Sequence, residues 1–129
     1  HLASRRQRQM CIRDRITDDL KNALVAKSNI FVMPSVKYKS SVEGFGIAYI
    51  EAAQYGVPSL GGVDGGAADA IQHDKTGLIC DGNNLDEIYS SLNSMIENKK
   101  YLHFGKNAKE FSSKFDWSNT IEEYKKVLI

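Results

Sequence analysis

Glu43 and Glu51 lie eight positions apart and bracket Gly44-Phe45-Gly46, a turn that runs into the alanine-rich segment Ile47 to Tyr55. A carboxylate has two acceptor oxygens and can take both hydroxyls of a ribose cis-diol. Glycines in such a turn let the backbone approach a ligand closely. A helix starting near Ile47 directs free N–H groups and the positive end of its dipole at the same place, which suits a phosphate without a metal. Glu51 falls one turn into that helix, on the same face as Ile47. Taken together, one carboxylate for a ribose, a helix end for a pyrophosphate and a second carboxylate for a further sugar describe a nucleotide-sugar. Taken singly, Gly44 and Gly46 also suit a plain tight turn, and each glutamate a solvated surface position.

The flanking chain reads as the frame for this turn. Thr17 is an N-cap candidate for a helix over 16–27, with Asp18 and Asp19 in its first turn and Leu20, Leu24 and Val25 at helical spacing. Residues 29–33 form an apolar run closed by Pro34, the pattern of a parallel strand buried on both faces. A loop over 35–42 carries Lys37 and Lys39. Gly56 is placed to end the helix over 47–55, and 57–60 reads as a second strand. Residues 61–66 form a second glycine-rich loop, containing Gly65 and Gly66, before a short helix over 67–72. A turn at 74–77 leads to a third strand, 78–80. Three helices follow: 85–98, with apolar residues at 85, 88, 92, 95 and 96; 101–111, with Leu102, Phe104 and Ala108 inward; and 118–128, capped by Ser118. This order predicts a parallel α/β sheet with right-handed crossovers, with ligands outside the carboxyl ends of its strands. Three strands are half of a doubly wound, Rossmann-like sheet, so the chain reads as the second half of one.

Composition narrows the class. No apolar run approaches the roughly 20 residues of a membrane span. The net charge of +1 conceals an asymmetry: all five arginines lie within residues 1–15, and residues 16–129 hold twelve lysines against fifteen acids, a net −3. The basic head suits a nucleic-acid or lipid arm, a disordered tail, or sequence foreign to the gene. Its Arg-Gln-Arg-Gln-Met-Cys-Ile-Arg-Asp-Arg run resembles translated sequencing-adapter sequence, so residues 1–15 are expected to be non-native or disordered, with no nucleic-acid partner. Residues 16–129 are then the folded part. Cys80 ends a buried strand and reads as a small hydrophobe, Cys11 lies in the head, and His1, His73 and His103 are not at metal-ligand spacing.

The combined pattern, Glu43-Gly-Phe-Gly-Ile47 through Glu51-Ala-Ala-x-x-Gly-Val-Pro58, then Gly65-Gly66, then Lys75-Thr-Gly-Leu78, resembles the Glu-x7-Glu signature of the retaining GT-B glycosyltransferases of family 4. Phe115-Asp-Trp117 before a last helix resembles the close of that family's C-terminal domain, and Asp69 stands where the family more often has Glu. The resemblance implies the donor-binding C-terminal domain of a GT-B fold, acting without an essential metal or other cofactor. It implies Glu51 on the nucleotide ribose and Glu43 on the transferred hexose. The backbone of Gly44, Phe45, Gly46 and Ile47 would lie along hexose and pyrophosphate, with Gly65 and Gly66 near the donor. The donor would be a UDP-, GDP- or ADP-sugar, and the acceptor a lipid or saccharide held by an N-terminal domain outside this chain. The two cysteines form no disulfide framework, which fits a reducing, cytoplasmic compartment, and the resemblance implies a peripheral position at the inner membrane face. The chain is thus expected to be a glycosyltransferase fragment, inactive alone. The rival expectations are a fragment of a GT-B-type nucleotide-sugar epimerase, and a non-enzymatic α/β binding domain whose glycine loops are structural.

Overall fold

The computed structural model describes residues 16–42 and 44–128. The elements run α1 (Asp18–Ala26), β1 (Phe31–Met33), α2 (Ile47–Gln54), β2 (Ser59–Gly62), α3 (Ala67–Ala70), β3 (Gly77–Cys80), α4 (Leu85–Ile96), α5 (Lys100–Ser112) and α6 (Trp117–Val127), with 3-10 turns at Glu97–Lys99 and Ser113–Phe115. The three strands form one parallel sheet in the order β1-β2-β3, with Phe31 opposite Ser59 and Ser59 opposite Gly77. The expected parallel α/β architecture is therefore present.

Strand alternation sends side chains to two cores. Leu60, Leu78 and Cys80 face one side and meet Met95 of α4 and Phe104 of α5. Phe31, Met33 and Ile79 face the other, against Tyr49, Ile50, Ala67, Ala70 and Ile71. Burying a side chain the size of Leu60 or Met95 contributes about 1.5–3 kcal/mol, and both are fully buried. Tyr49 is buried too, and its hydroxyl donates to the Met33 carbonyl at 2.6 Å, so the buried phenol spans from α2 to the end of β1.

Several boundaries differ from the sequence expectations. Val32 is 44% exposed, so β1 is not buried on both faces. The α4–α5 cover reaches Ile30 and stops short of Val32, while Phe31 and Met33 are packed on the Tyr49 side. Gly61 and Gly62 belong to β2 rather than to a loop, and Val57 and Pro58 precede the strand. The reason at Gly62 is close approach: a Cβ there would lie 2.0 Å from the Ser35 carbonyl oxygen, so only glycine lets the chain leaving β1 lie against β2. Leu102 is exposed although Phe104 and Ala108 are buried, and Leu85 and Ile96 are exposed at the two ends of α4, whose buried stripe is Met95 with Ile88 and Leu92 partly covered. Ser118 lies inside α6. Asp116 holds its N-cap position and the helix buries none of its residues. Thr17 does cap α1, its hydroxyl accepting from the Leu20 N–H at 3.3 Å, and Gly56 follows α2 at φ 74°.

Candidate functional site

Because all strands are parallel, the β1–α2 loop (34–46) and the β2–α3 loop (63–66) leave the same end of the sheet, the end at which open α/β folds take ligands. The two loops touch. Gly66 packs so tightly on the first glycine turn that a Cβ would lie 1.7 Å from the Gly44 carbonyl oxygen and 2.8 Å from the Phe45 Cα. The structure thus brings Gly44, Phe45 and Gly66 into one contact, with Gly65 beside them at φ 84°.

Gly46 is the N-cap of α2 at φ 82°, ψ 51°, a left-handed conformation that a residue with a Cβ adopts only at a cost of about 1–2 kcal/mol. A Cβ there would also meet the Tyr49 ring at 2.5 Å. The same glycine therefore turns the chain and leaves room for a core ring. It brings no side-chain acceptor to the helix start; the Tyr49 N–H donates to the Gly46 carbonyl at 3.0 Å, and Ile47 and Ala48 carry the first-turn N–H groups that a helix start offers to an outside acceptor. Ile47, the first helical residue, is exposed.

Glu51 is also exposed, four residues on, so the expected shared face with Ile47 is present. Its carboxylate lies 3.6 Å from the Lys21 ammonium, which also stands 3.7 Å from Asp18 on α1. At 41% and 49% side-chain exposure the Lys21–Glu51 pair adds at most about 1 kcal/mol to stability, so it leaves Glu51 accessible to a ligand in a positively biased setting. Glu43, the other carboxylate of the motif, lies outside the described residues, as do residues 1–15.

Three residues join the site that sequence reasoning did not select. Lys21 is one. Its only sequence signal is an ordinary i,i+3 spacing from Asp18 on a surface helix. Phe115 is the second: its ring lies 5.3 Å from that of Phe45 and 5.2 Å from that of Phe111, so the Phe-Asp-Trp segment near the C-terminus braces the glycine turn. The third is Asp64, whose Oδ2 accepts from the Lys37 backbone N–H at 2.8 Å and ties the second loop to the first. Between these anchors Tyr38 and Ser41 exchange backbone hydrogen bonds of 3.0 and 2.9 Å, closing a small exposed excursion. On it the Lys39 ammonium sits 5.4 Å from the Tyr38 ring centroid.

Comparison with known proteins bears on the family and the fold. The family profile described as "Glycosyl transferases group 1" matches residues 7–111. A GDP-mannose-dependent alpha-(1-6)-phosphatidylinositol monomannoside mannosyltransferase of Mycobacterium tuberculosis is 38% identical over 82 residues, 62% of this chain and 21% of that protein. A sulfoquinovosyl transferase of Arabidopsis thaliana is 30% identical over 104 residues, 78% of this chain and 19% of that protein. The chain thus spans about a fifth of the length of these curated relatives. Among solved structures, Anabaena HepE in complex with UDP superposes with a TM-score of 0.71 at 23% identity, covering 81% of this chain and 28% of that one. Sucrose-phosphate synthase from Thermosynechococcus elongatus superposes with a TM-score of 0.74 at 20% identity, covering 98% of this chain and 35% of that one. At these identities the likeness shows the fold, that of the GT-B glycosyltransferases.

Proposed function

This chain belongs to the glycosyl transferases group 1 family, and on that premise we propose that it is the donor-binding part of a retaining, family 4 type glycosyltransferase that moves a hexose from a nucleotide-sugar to an acceptor. The observation that carries the reading is the joint geometry of two loops and one helix start. The Gly44–Gly66 contact sets both glycine loops at the carboxyl end of the sheet, beside the uncapped start of α2, and Glu51 stands one turn further along. In this reading the N–H groups of Gly46, Ile47 and Ala48 take the diphosphate, a site of positive potential that also favours departure of the nucleoside diphosphate. Glu51 accepts from the ribose hydroxyls. The backbone of Gly44, Phe45, Gly65 and Gly66 lines the donor, and Glu43 contacts the hexose.

HepE binds UDP and UDP-glucose in its structures, and the mycobacterial relative is GDP-mannose-dependent. A UDP- or GDP-sugar is therefore the donor class proposed here, with ADP-sugars the remaining alternative. The acceptor, a lipid or saccharide, would be held outside this chain, in a cytoplasmic protein peripheral at the inner membrane face. A nucleotide-sugar epimerase and a purely structural α/β module find no support in the comparisons.

Calorimetric titration with UDP, GDP and ADP tests the reading directly. One of the three is expected to bind, and Glu51→Ala to weaken it. A hydrogen bond to a charged group is worth about 1.5–3 kcal/mol, and the exposure of Glu51 places the loss at the low end, roughly tenfold in Kd. Affinity unchanged in Glu51→Ala removes the ribose assignment, and no binding of any nucleoside diphosphate removes the donor-site reading.

A further inference from the structure

The chain leaving β1 is held by backbone packing of Pro34 against Gly82 and then at two further points: Ser35 against Gly62, and Gly44 against Gly66. Between them lies the excursion over 36–42, and a side chain grips it at one described place. The Asp64 carboxylate, half-buried at the root of the second glycine loop, accepts the Lys37 N–H at 2.8 Å across 27 residues of sequence. A carboxylate accepting from a backbone N–H makes a charge-assisted hydrogen bond, stronger than one between neutral groups. Asp64 is also next to Gly65 and Gly66, so the bond ties the approach to the first glycine turn to the very loop that turn packs against.

We propose that Asp64 is a positioning residue for the sugar end of the donor site: its bond to Lys37 fixes how the chain from Lys37 runs into the glycine turn. This rests on the donor-site reading above and deepens it. Glu51 and the nucleotide end lie on α2, whose position is set by the buried Tyr49, Ile50, Ala52 and Ala53 and owes nothing to Asp64. Loss of the carboxylate therefore loosens the excursion and the sugar end while the nucleotide end keeps its frame. Exposed Tyr38, Lys37 and Lys39 move with it, since the Tyr38–Ser41 closure keeps the excursion together as a unit.

The test compares Asp64→Ala with Asp64→Asn in the full-length protein. Asparagine keeps an acceptor oxygen at the same reach and alanine has none. Asp64→Ala is expected to lower kcat for transfer by roughly 10- to 100-fold, the scale of an ångström-sized misplacement. Nucleoside diphosphate affinity should stay within about twofold, and Asp64→Asn should restore most of the rate. Hydrogen exchange at the Lys37 amide should quicken in Asp64→Ala and stay slow in Asp64→Asn. Rate and nucleoside diphosphate affinity falling together, without rescue by asparagine, overturns the proposal in favour of a general folding role. A full transfer rate in Asp64→Ala overturns it outright. Should no nucleotide-sugar support transfer by the unsubstituted protein, the donor reading fails by itself, and the exchange measurement still decides the clamp: unchanged Lys37 exchange in Asp64→Ala sinks it.

Discussion

Gly66→Ala isolates the contact on which the site depends. Gly66 has φ −85° and ψ 11°, which alanine adopts without strain, so the added methyl acts through space alone. Its nearest neighbours are backbone atoms: the Gly44 carbonyl oxygen at 1.7 Å, the Gly44 carbonyl carbon at 2.7 Å and the Phe45 Cα at 2.8 Å. Backbone cannot rotate aside as a flexible side chain does. Restoring an ordinary contact of 3.4 Å from 1.7 Å requires the two loops to part by 1.7 Å at that atom. Overpacking of this kind costs about 1–3 kcal/mol. In a domain of this size that lowers Tm by roughly 4–15 °C, and the exposure of the turn places the loss nearer the low end. The functional loss should be larger, because parting by more than an ångström at a donor site costs on the order of 100-fold in rate. Thermal melts and transfer kinetics on the same preparation separate the two effects. Gly44→Ala is the stability control. A Cβ at Gly44 meets nothing within 4 Å, so its stability should stay within about 0.5 kcal/mol of the parent. A Gly66→Ala protein with the parent's Tm and the parent's transfer rate would falsify the claim that the loops are in obligatory contact.

Two further outcomes are expected. Glu43→Ala should lower kcat/KM by roughly 100-fold while leaving nucleoside diphosphate affinity nearly intact, as for loss of a group acting on the developing transition state; retained activity removes the hexose assignment. Cys80 is fully buried, and burial, with smaller contributions from the charges of Glu87 and Asp81, raises its thiol above the ordinary range. In a Cys11→Ser background the native protein should therefore resist iodoacetamide at pH 8 and react on unfolding. The raised thiol means the folded state keeps a proton that the unfolded state releases, so the Cys80 contribution to stability is present below the ordinary thiol pKa and is lost as pH rises through the folded one. Rapid labelling of the folded protein at pH 8 contradicts the burial.

The sequence by itself determined the element order, the parallel sheet and the two glycine loops, because these follow from local patterns. Apolar runs closed by Pro34 or Gly56 mark strand and helix ends, and Thr17 carries its own capping signal. The identity of the Glu43–Glu51 signature was equally legible, since its spacing is a property of the chain alone. Edges were less so: Gly61 and Gly62 read as loop because glycine is poor in strands, yet β2 needs Gly62 where Ser35 lies against it and Gly61 where Ile71, Ala67 and Tyr49 crowd in. Leu85, Leu102 and Ile96 fit an apolar stripe but stay exposed, since periodicity fixes a face and only packing decides how much of that face is covered. The site's internal arrangement belonged wholly to tertiary structure. Nothing local relates Lys21 to Glu51, Phe115 to Phe45, or Asp64 to Lys37, because each pair is joined by a fold that brings together segments 27 or more residues apart. Whether Gly44 and Gly66 meet was decided there too: parallel strands must release their loops at one end, and only a residue without a Cβ at position 66 lets those loops close to contact.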